Sequence, residues 1–435
     1  MPNDVSIQEF IAQAQRGLFQ RTFGPEFLMK QTYLQATNIF VDTYGRKVWD
    51  NMNNRTVVFN ALPKTVWGPT TGWFLRTDRG SGRSRPVTET GALPTIDVSN
   101  YEKVYSAPNI VGTTLGVTVL AQFESNLEGG IGDAFQKELE GAQRDHLKEI
   151  NQELLAGSAY LVSDGSTTTF VVPSSIALHF KVGDTIAGYI SNSYVDTARA
   201  VESVSGGTVT VATGTAFADS DAAYIKSRAG FTSLDDICME DGAAPGGEGA
   251  RVDLYNLTTR TAGTYSAAGL CSYNAGVGRD LTLTLLDSAI QKSRENGGEP
   301  KLIVMGHDQY FKLEGLLQAQ QRFMGQADYV ASVGDERTYP GTKTGLVLAT
   351  YMGIPILPDA DCAKSVATDD TVLGSNVYIL DTDYLEIAIA QPTQYVENRD
   401  FFSALAMVTR ALLYTMGELR CTNVFVQCKI ADLNT

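Results

Sequence analysis

The chain has 435 residues and a 43% hydrophobic fraction, room for two or three domains with sizeable cores. Its 34 Lys and Arg against 49 Asp and Glu leave a net charge of −15. That balance excludes a protein whose whole surface grips nucleic acid or anionic lipid.

The opening "MPNDVSIQEF" has no basic segment followed by an apolar one, so it is not a secretory signal. "FFSALAMVTRALLYTM" is interrupted by Arg410 and too short to cross a bilayer, and the sequence reads as a soluble protein without a membrane. The five cysteines (Cys238, Cys271, Cys362, Cys421, Cys428) are scattered and free of CxxC spacing, which points to reduced thiols in a cytosolic folding compartment.

In chain order, Ile7, Phe10, Ile11 and Ala14 recur at helical spacing. With the apolar piece after Gly24–Pro25 they make an arm too short to bury its own apolar face. From 55 to 120, "TVVF", "KTVW" and "LGVTVL" read as strands. Between them "LRTDRGSGRSRPVTETGALP" places Arg76, Arg79, Arg83 and Arg85 within ten residues. This is an extended hairpin with a basic, Gly-rich tip. A solvated loop is the plainer reading; an arm reaching a neighbouring subunit is the one adopted, because an isolated hairpin leaves open edges.

Residues 133–155 then form a rod of roughly 35 Å. Phe135, Leu139, Ala142, His146, Ile150 and Leu154 make its apolar stripe, and Gly157 is expected as a left-handed stop. From Ser158 to Arg228 the alternations are β, with Val204 and Val209 flanking a Ser-Gly-Gly-Thr turn. A small barrel-like domain is expected there. Mixed α/β signals follow: a helix capped by Thr284 and Asp287 and stopped at Gly297–Gly298, a buried strand "KLIVM", a helix with Asp308 as N-cap, and the strand "GIPILPD". The last sixty residues read as long, mostly antiparallel strands.

Catalytic vocabulary is thin. Only His146, His179 and His307 are available. His146 lies on the apolar stripe and reads as a core histidine, while the "GHD" at 306–308 reads as a helix start. "PGTKT" at 340–344 lacks the first Gly of a phosphate loop, and the Gly-rich 242–252 has no helix after it. The pairs Asp359/Asp361, Asp369/Asp370 and Asp381/Asp383 read as solvated loops rather than a Ca²⁺ site. The Arg cluster lacks interleaved aromatics, so an acidic protein surface is preferred over DNA as its contact. No catalytic, cofactor or metal residue emerges, and no cofactor is expected.

What remains is an order of parts, and it resembles the major capsid proteins of tailed double-stranded DNA phages, the Hong Kong 97-like family. "TETGALPTIDVSNYEKV" resembles the returning extended loop, and "QELLAGS" at 152–158 the end of the spine helix. "LLDSAIQKSREN", "KLIVM", "YFKL" at 310–313 and "GIPILPD" at 353–359 resemble the axial domain. "QYVENRDFFSALAMVTRALLYTMGELRCTNVFVQCKI" resembles the closing segment. The resemblance covers everything except 158–228.

It implies an α+β fold with an N-terminal arm (1–54), an extended loop with flanking strands (55–120), a spine helix (121–157) and an all-β insertion (158–228). An axial domain (229–375) and closing strands (376–435) complete it. It also implies hexamers and pentamers of one chain in a head around double-stranded DNA, in a virion assembled in host cytoplasm. Portal, cement and separate scaffolding proteins are the implied partners. No scaffolding region precedes the arm, which fits a separate scaffold, none, or a processed chain. The intersubunit candidates are Ile7, Phe10 and Ile11 of the arm and Arg76, Arg79, Arg83 and Arg85 of the loop. An encapsulin-like compartment, a hydrolase and a tail-associated binding protein stand as alternatives.

Overall fold

A computed structural model describes residues 57–68, 72–76, 87, 89, 91, 93, 101–118, 134–163, 165–190, 193–218, 221–239, 254–257, 269–274, 276–321, 350–367, 369–398 and 408–435. Contacts divide the chain into two units. Among the described residues, 112–118, 134–143, 392–398 and 408–414 belong to one and the remainder to the other. No helix among the described residues is long and apolar enough to cross a membrane.

Helix α1 (Val57–Ala61) occupies the "TVVF" read as a strand. Val58, Phe59 and Leu62 are buried together, a spacing that one helical turn satisfies and a two-residue alternation does not. Strand β1 (Lys64–Val66) follows, then β2 (Gly72–Arg76) and β3 (Tyr101–Tyr105), which pair antiparallel with Trp73 opposite Val104 and Arg76 opposite Tyr101. Strand β4 (Asn109–Thr118) leads towards helix α2 (Ala134–Leu155). The stripe Leu139, Ala142, His146, Ile150 and Leu154 is buried. The buried face is wider than that stripe, taking in Gln143, Leu147, Asn151 and Leu155 as well.

Gly157 does not adopt the left-handed conformation expected of it. It is needed for another reason: a Cβ there would overlap the Tyr160 hydroxyl. A glycine that lets an aromatic ring fold under the helix end looks, in sequence, the same as a helix stop.

The chain next builds β5 (Ala159–Val162), β6 (Thr169–Val171), a turn of helix α3 (Ser174–Ala177), β7 (Thr185–Ile190), β8 (Ser193–Ser205), β9 (Thr208–Val211) and β10 (Asp221–Ser227). Every pairing is antiparallel, in the order β5-β10-β7-β8-β9-β6. The two ends of that order meet, since Ser163 and Val171 exchange two backbone hydrogen bonds of 2.9 Å. The result is a closed barrel with no free edge. Val204 and Val209 pair across the Gly206–Gly207 turn, where Gly206 takes a φ of 62°. Inside, Phe170 packs edge-on against Phe180 and Phe217, and Tyr160 leans on Phe180.

Helix α4 (Leu234–Ile237) is a single turn with a complete capping box between Ser233 and Asp236. Then come β11 (Leu270–Ser272), α5 (Leu283–Glu295), β12 (Leu302–Met305) and α6 (His307–Gln321). The N-cap of α5 is Thr282, whose hydroxyl accepts from the Leu285 amide. The expected cap at Thr284 is already inside the helix, and Asp287 instead receives the Tyr351 hydroxyl at 2.6 Å. Gly297 ends α5 at φ 85°. Asp308 lies in the first turn of α6 and accepts the Ser375 amide at 2.7 Å, so it ties the helix start to a strand rather than capping it.

The strands β13 (Thr350–Tyr351), β14 (Ile354–Pro358), β15 (Lys364–Val366), β16 (Val372–Ser375) and β17 (Val377–Leu380) precede two long ones, β18 (Leu385–Asn398) and β19 (Val408–Cys421), and the short β20 (Cys428–Ile430). A mixed sheet β11-β20-β17-β12-β14-β13 carries a core formed by Leu286, Ile290 and Leu313 over Ile303, Ile356, Ile379 and Ile430. A second sheet runs β1-β18-β19-β4, with β1 parallel to β18. The aspartate pairs are not uniformly solvated. Asp359 and Asp381 are buried and accept backbone or amide donors, because each organises its own turn.

Candidate intersubunit surface

The β2–β3 pair has two unlike faces. Leu75 and Val104 point inward and are buried. The opposite face presents Phe74, Tyr101, Lys103 and Tyr105, with Phe74 69% and Tyr101 62% exposed. Lys103 lies 5.1 Å from the Tyr105 ring centre, so a cation is laid on the aromatic face. The backbone of Arg76 pairs with that of Tyr101 at the far end of the two strands. Nearby Val66, on the edge strand β1, is 88% exposed. Open strand edges carrying exposed aromatics are a surface onto which another chain can pair.

The root of the pair is held firmly. Arg420 of β19 stacks 3.8 Å from the Trp67 ring centre and 6.0 Å from that of Trp73, and its Nε donates to Ser106 Oγ at 2.9 Å. Trp73 meets Tyr255 edge-on at 5.2 Å, and the Tyr255 hydroxyl donates to the Leu419 carbonyl. Thus both strands of the pair are tied at their base to β19. No short-range sequence signal marks Arg420, which lies over 340 positions from Trp73 and was missed.

A second rigid element is the root of the barrel. The chain enters it at Ala156–Ser158 and leaves at Arg228–Gly230. Arg228 joins the two: its Nη2 donates to the carbonyls of Gly157 (2.6 Å) and Ala156 (3.3 Å), and its Nε to Asp236 at 2.7 Å. Ser158 donates its amide to Asp235 at 2.8 Å and its hydroxyl to Asp236. Asp235 also meets Lys429 at 3.1 Å and the Tyr378 hydroxyl at 2.8 Å. Asp184 accepts the amides of Lys181 and Ala229, and Glu418 those of Thr232 and the Asn109 side chain.

Burial by itself would lower the Arg228 pKa, but the Asp236 carboxylate outweighs it and the guanidinium is held charged. Buried charges survive only when paired and hydrogen-bonded in this way.

His146 donates or accepts a 2.9 Å hydrogen bond with Thr415, and burial pulls its pKa down to about 4. It is a neutral core histidine. No group of three potential metal ligands gathers among the described residues. Of the seven intersubunit candidates, only the backbone of Arg76 is described; Ile7, Phe10, Ile11, Arg79, Arg83 and Arg85 lie outside the described residues, as do 242–252 and 340–344.

What the geometry offers among the described residues is therefore an exposed aromatic face on a braced frame. A family model described as SU10 major capsid protein matches residues 30–401. The chain belongs to that family. This capsid protein is a structural protein of the virion head rather than an enzyme, one of many copies forming a shell.

No curated protein matches it significantly. Among solved structures, the capsid asymmetric unit of cyanophage A-1(L) shares 13% identity, covers 87% of this chain and 93% of its own, and superposes with a TM-score of 0.51. That likeness gives the phage-capsid fold with mixed helix and sheet. The capsid of the native GTA particle (11% identity, 86% and 90% covered, TM-score 0.44) is another similar structure. An encapsulin complex from Synechococcus elongatus also matches (9%, 87% and 88%, TM-score 0.37).

Proposed function

We propose that this capsid protein assembles as hexamers and pentamers into an icosahedral head around double-stranded DNA, with the Hong Kong 97-like layout. In this reading 1–54 is the arm, 55–120 the extended loop, 121–157 the spine segment and 158–228 a β domain inserted into the fold. Residues 229–375 form the axial domain and 376–435 the closing strands. The barrel's own core, and the adjacency of the points where the chain enters and leaves it, support the insertion.

The observation that carries the assembly reading is the outward face of β2–β3. Phe74, Tyr101 and Tyr105 stand exposed on a strand pair whose base is clamped by Arg420. Lys103 and the arginines at 76, 79, 83 and 85 suit the acidic surface of a neighbouring copy, since each copy carries a net charge of −15. Ile7, Phe10 and Ile11 of the arm add a second apolar contact. Many modest contacts then reinforce one another once subunits are held together. Net acidity leaves the DNA confined rather than gripped, with no sequence-specific binding. Portal, scaffolding and cement proteins complete the assembly in host cytoplasm.

The test is expression of wild type and of Phe74→Asp/Tyr101→Asp with the cognate assembly partners. Wild type is expected to yield shells with nuclease-protected DNA, and the double variant folded, unassembled protein. Shells from the double variant at wild-type yield would refute the role of this face. Wild-type shells that never hold DNA would point to a compartment instead.

A further inference from the structure

At the barrel root a cavity of about 210 Å³ lies among the last turn of α2, the α3–β7 turn and the 359–364 loop. Glu153 lines it from α2 and accepts the Phe231 amide at 3.0 Å. Gly230 lies so close that a Cβ there would overlap the carboxylate, so the side chain sits in a slot only glycine leaves open.

Charged groups face Glu153 from every element around it. Glu149, one turn back on α2, pairs with Lys181 at 2.5 Å. His179, Lys181 and Asp184 line the cavity from the α3–β7 turn, Arg228 from the chain leaving the barrel, and Asp361 and Lys364 from the loop and strand opposite. Most are engaged elsewhere. Arg228 forks onto Asp236, Asp184 holds two backbone amides, and Asp361 accepts from Asn151 and Gln152. Glu153 keeps one neutral donor and, among the described residues, no ion pair within 4.0 Å.

We propose that Glu153 is a proton-operated latch between the barrel and the end of α2. Protonated, it stays in its slot against Gly230 and Phe231. Ionised, it draws water into the cavity and loosens the joint.

Burial foremost, with Glu149 adding to it, raises the carboxyl pKa to about 7 against the Phe231 amide, Lys181 and Arg228. The folded joint therefore keeps a proton that an unfolded chain gives up near pH 4.5. Its stabilising contribution is complete below that pH and is lost as pH rises through about 7. His179, pulled down to about 4 by burial, stays neutral from there upward and does not confuse the signal.

The experiment is amide hydrogen exchange on the full chain from pH 5.5 to 8.5, corrected for intrinsic chemistry and read at Phe231 and residues 156–158. In wild type, protection is expected to fall by about tenfold or more between pH 5.5 and 7 and to level off above about 7, and Glu153→Gln is expected to hold the low-pH protection throughout. Flat protection in wild type, or an unchanged pH dependence in Glu153→Gln, overturns the latch. Should the variant fail to fold, a ¹³C titration of the wild-type Glu153 carboxyl decides. A midpoint above about 6 supports the latch, and a lower one overturns it.

Discussion

Replacing Arg228 by Met tests whether the barrel is held by a charge network or merely tethered by two strands of chain. The substitution keeps length and apolar stem but removes four contacts: one to each carbonyl of Ala156 and Gly157, and two to the Asp236 carboxylate. Asp236 is fully buried, so it loses its guanidinium partner in a place water does not reach, while the Ser233 amide and Ser158 hydroxyl still donate to it. Breaking one side of such a pair costs about 3–5 kcal/mol. Adding Asp236→Asn removes the buried negative charge while keeping an acceptor for Ser158, so the double variant should recover about 1–3 kcal/mol of that loss.

The assay is denaturant unfolding combined with hydrogen exchange. Amides at 156–158 and 229–236 should lose protection, while Val209 and Ile186 inside the barrel keep theirs. A Met variant within about 0.5 kcal/mol of wild type would refute the reasoning.

Three further outcomes rest on contacts inside the barrel and along α2. Gly157→Ala should destabilise by about 1–3 kcal/mol through overlap with the Tyr160 hydroxyl and ring Cζ, and Tyr160→Phe in that background should restore part of it, the Cζ contact remaining; thermal unfolding of the two variants reads both effects. Arg199 is almost fully buried in the barrel wall, over the Phe217 ring at 4.8 Å, with no hydrogen-bond partner for its guanidinium among the described residues. Arg199→Met should therefore raise the barrel's unfolding temperature, equivalent to about 1 kcal/mol, and a fall of that size would show that the stacking outweighs desolvation. His146, held near a pKa of 4 against an ordinary 6.5, stays neutral in the fold while an unfolded chain takes up a proton. Stability should then fall as pH drops from 6.5 to 4, by about 3 kcal/mol from this group, and His146→Gln should flatten that window in a pH-dependent denaturation series.

The long-range order of this fold was legible because several segments carry strong local periodicity. The stripe on α2 from Leu139 to Leu154 and the run Leu302–Met305 are buried as their spacing predicts, with Phe135 half-buried, and the chain turns at Gly206 as expected. Errors fell where one local signal serves two physical ends. Val57–Ala61 is rich in β-branched residues yet forms a helix, because tertiary burial of Phe59 and Leu62 overrides propensity. Thr284 and Thr282 are equally good caps in isolation, and only the backbone decides between them.

The contacts that brace the frame were invisible for a different reason. Arg420 on Trp67 and Lys429 on Asp235 join residues far apart in the chain, and a single sequence offers no rule for choosing such pairs. The surface candidates fared differently from the core. The basic loop is legible in composition, but the aromatic face of the strand pair emerges only when the β2–β3 register sets Phe74, Lys103 and Tyr105 on one side.

The most direct measurement is a cryo-EM reconstruction of the assembled shell at side-chain resolution, tracing the β2–β3 pair. Phe74, Tyr101 and Tyr105 should be buried against an adjacent copy, with Arg420 still stacked on Trp67 at the root. A shell in which those rings face solvent, or fold back onto their own subunit, would contradict the account.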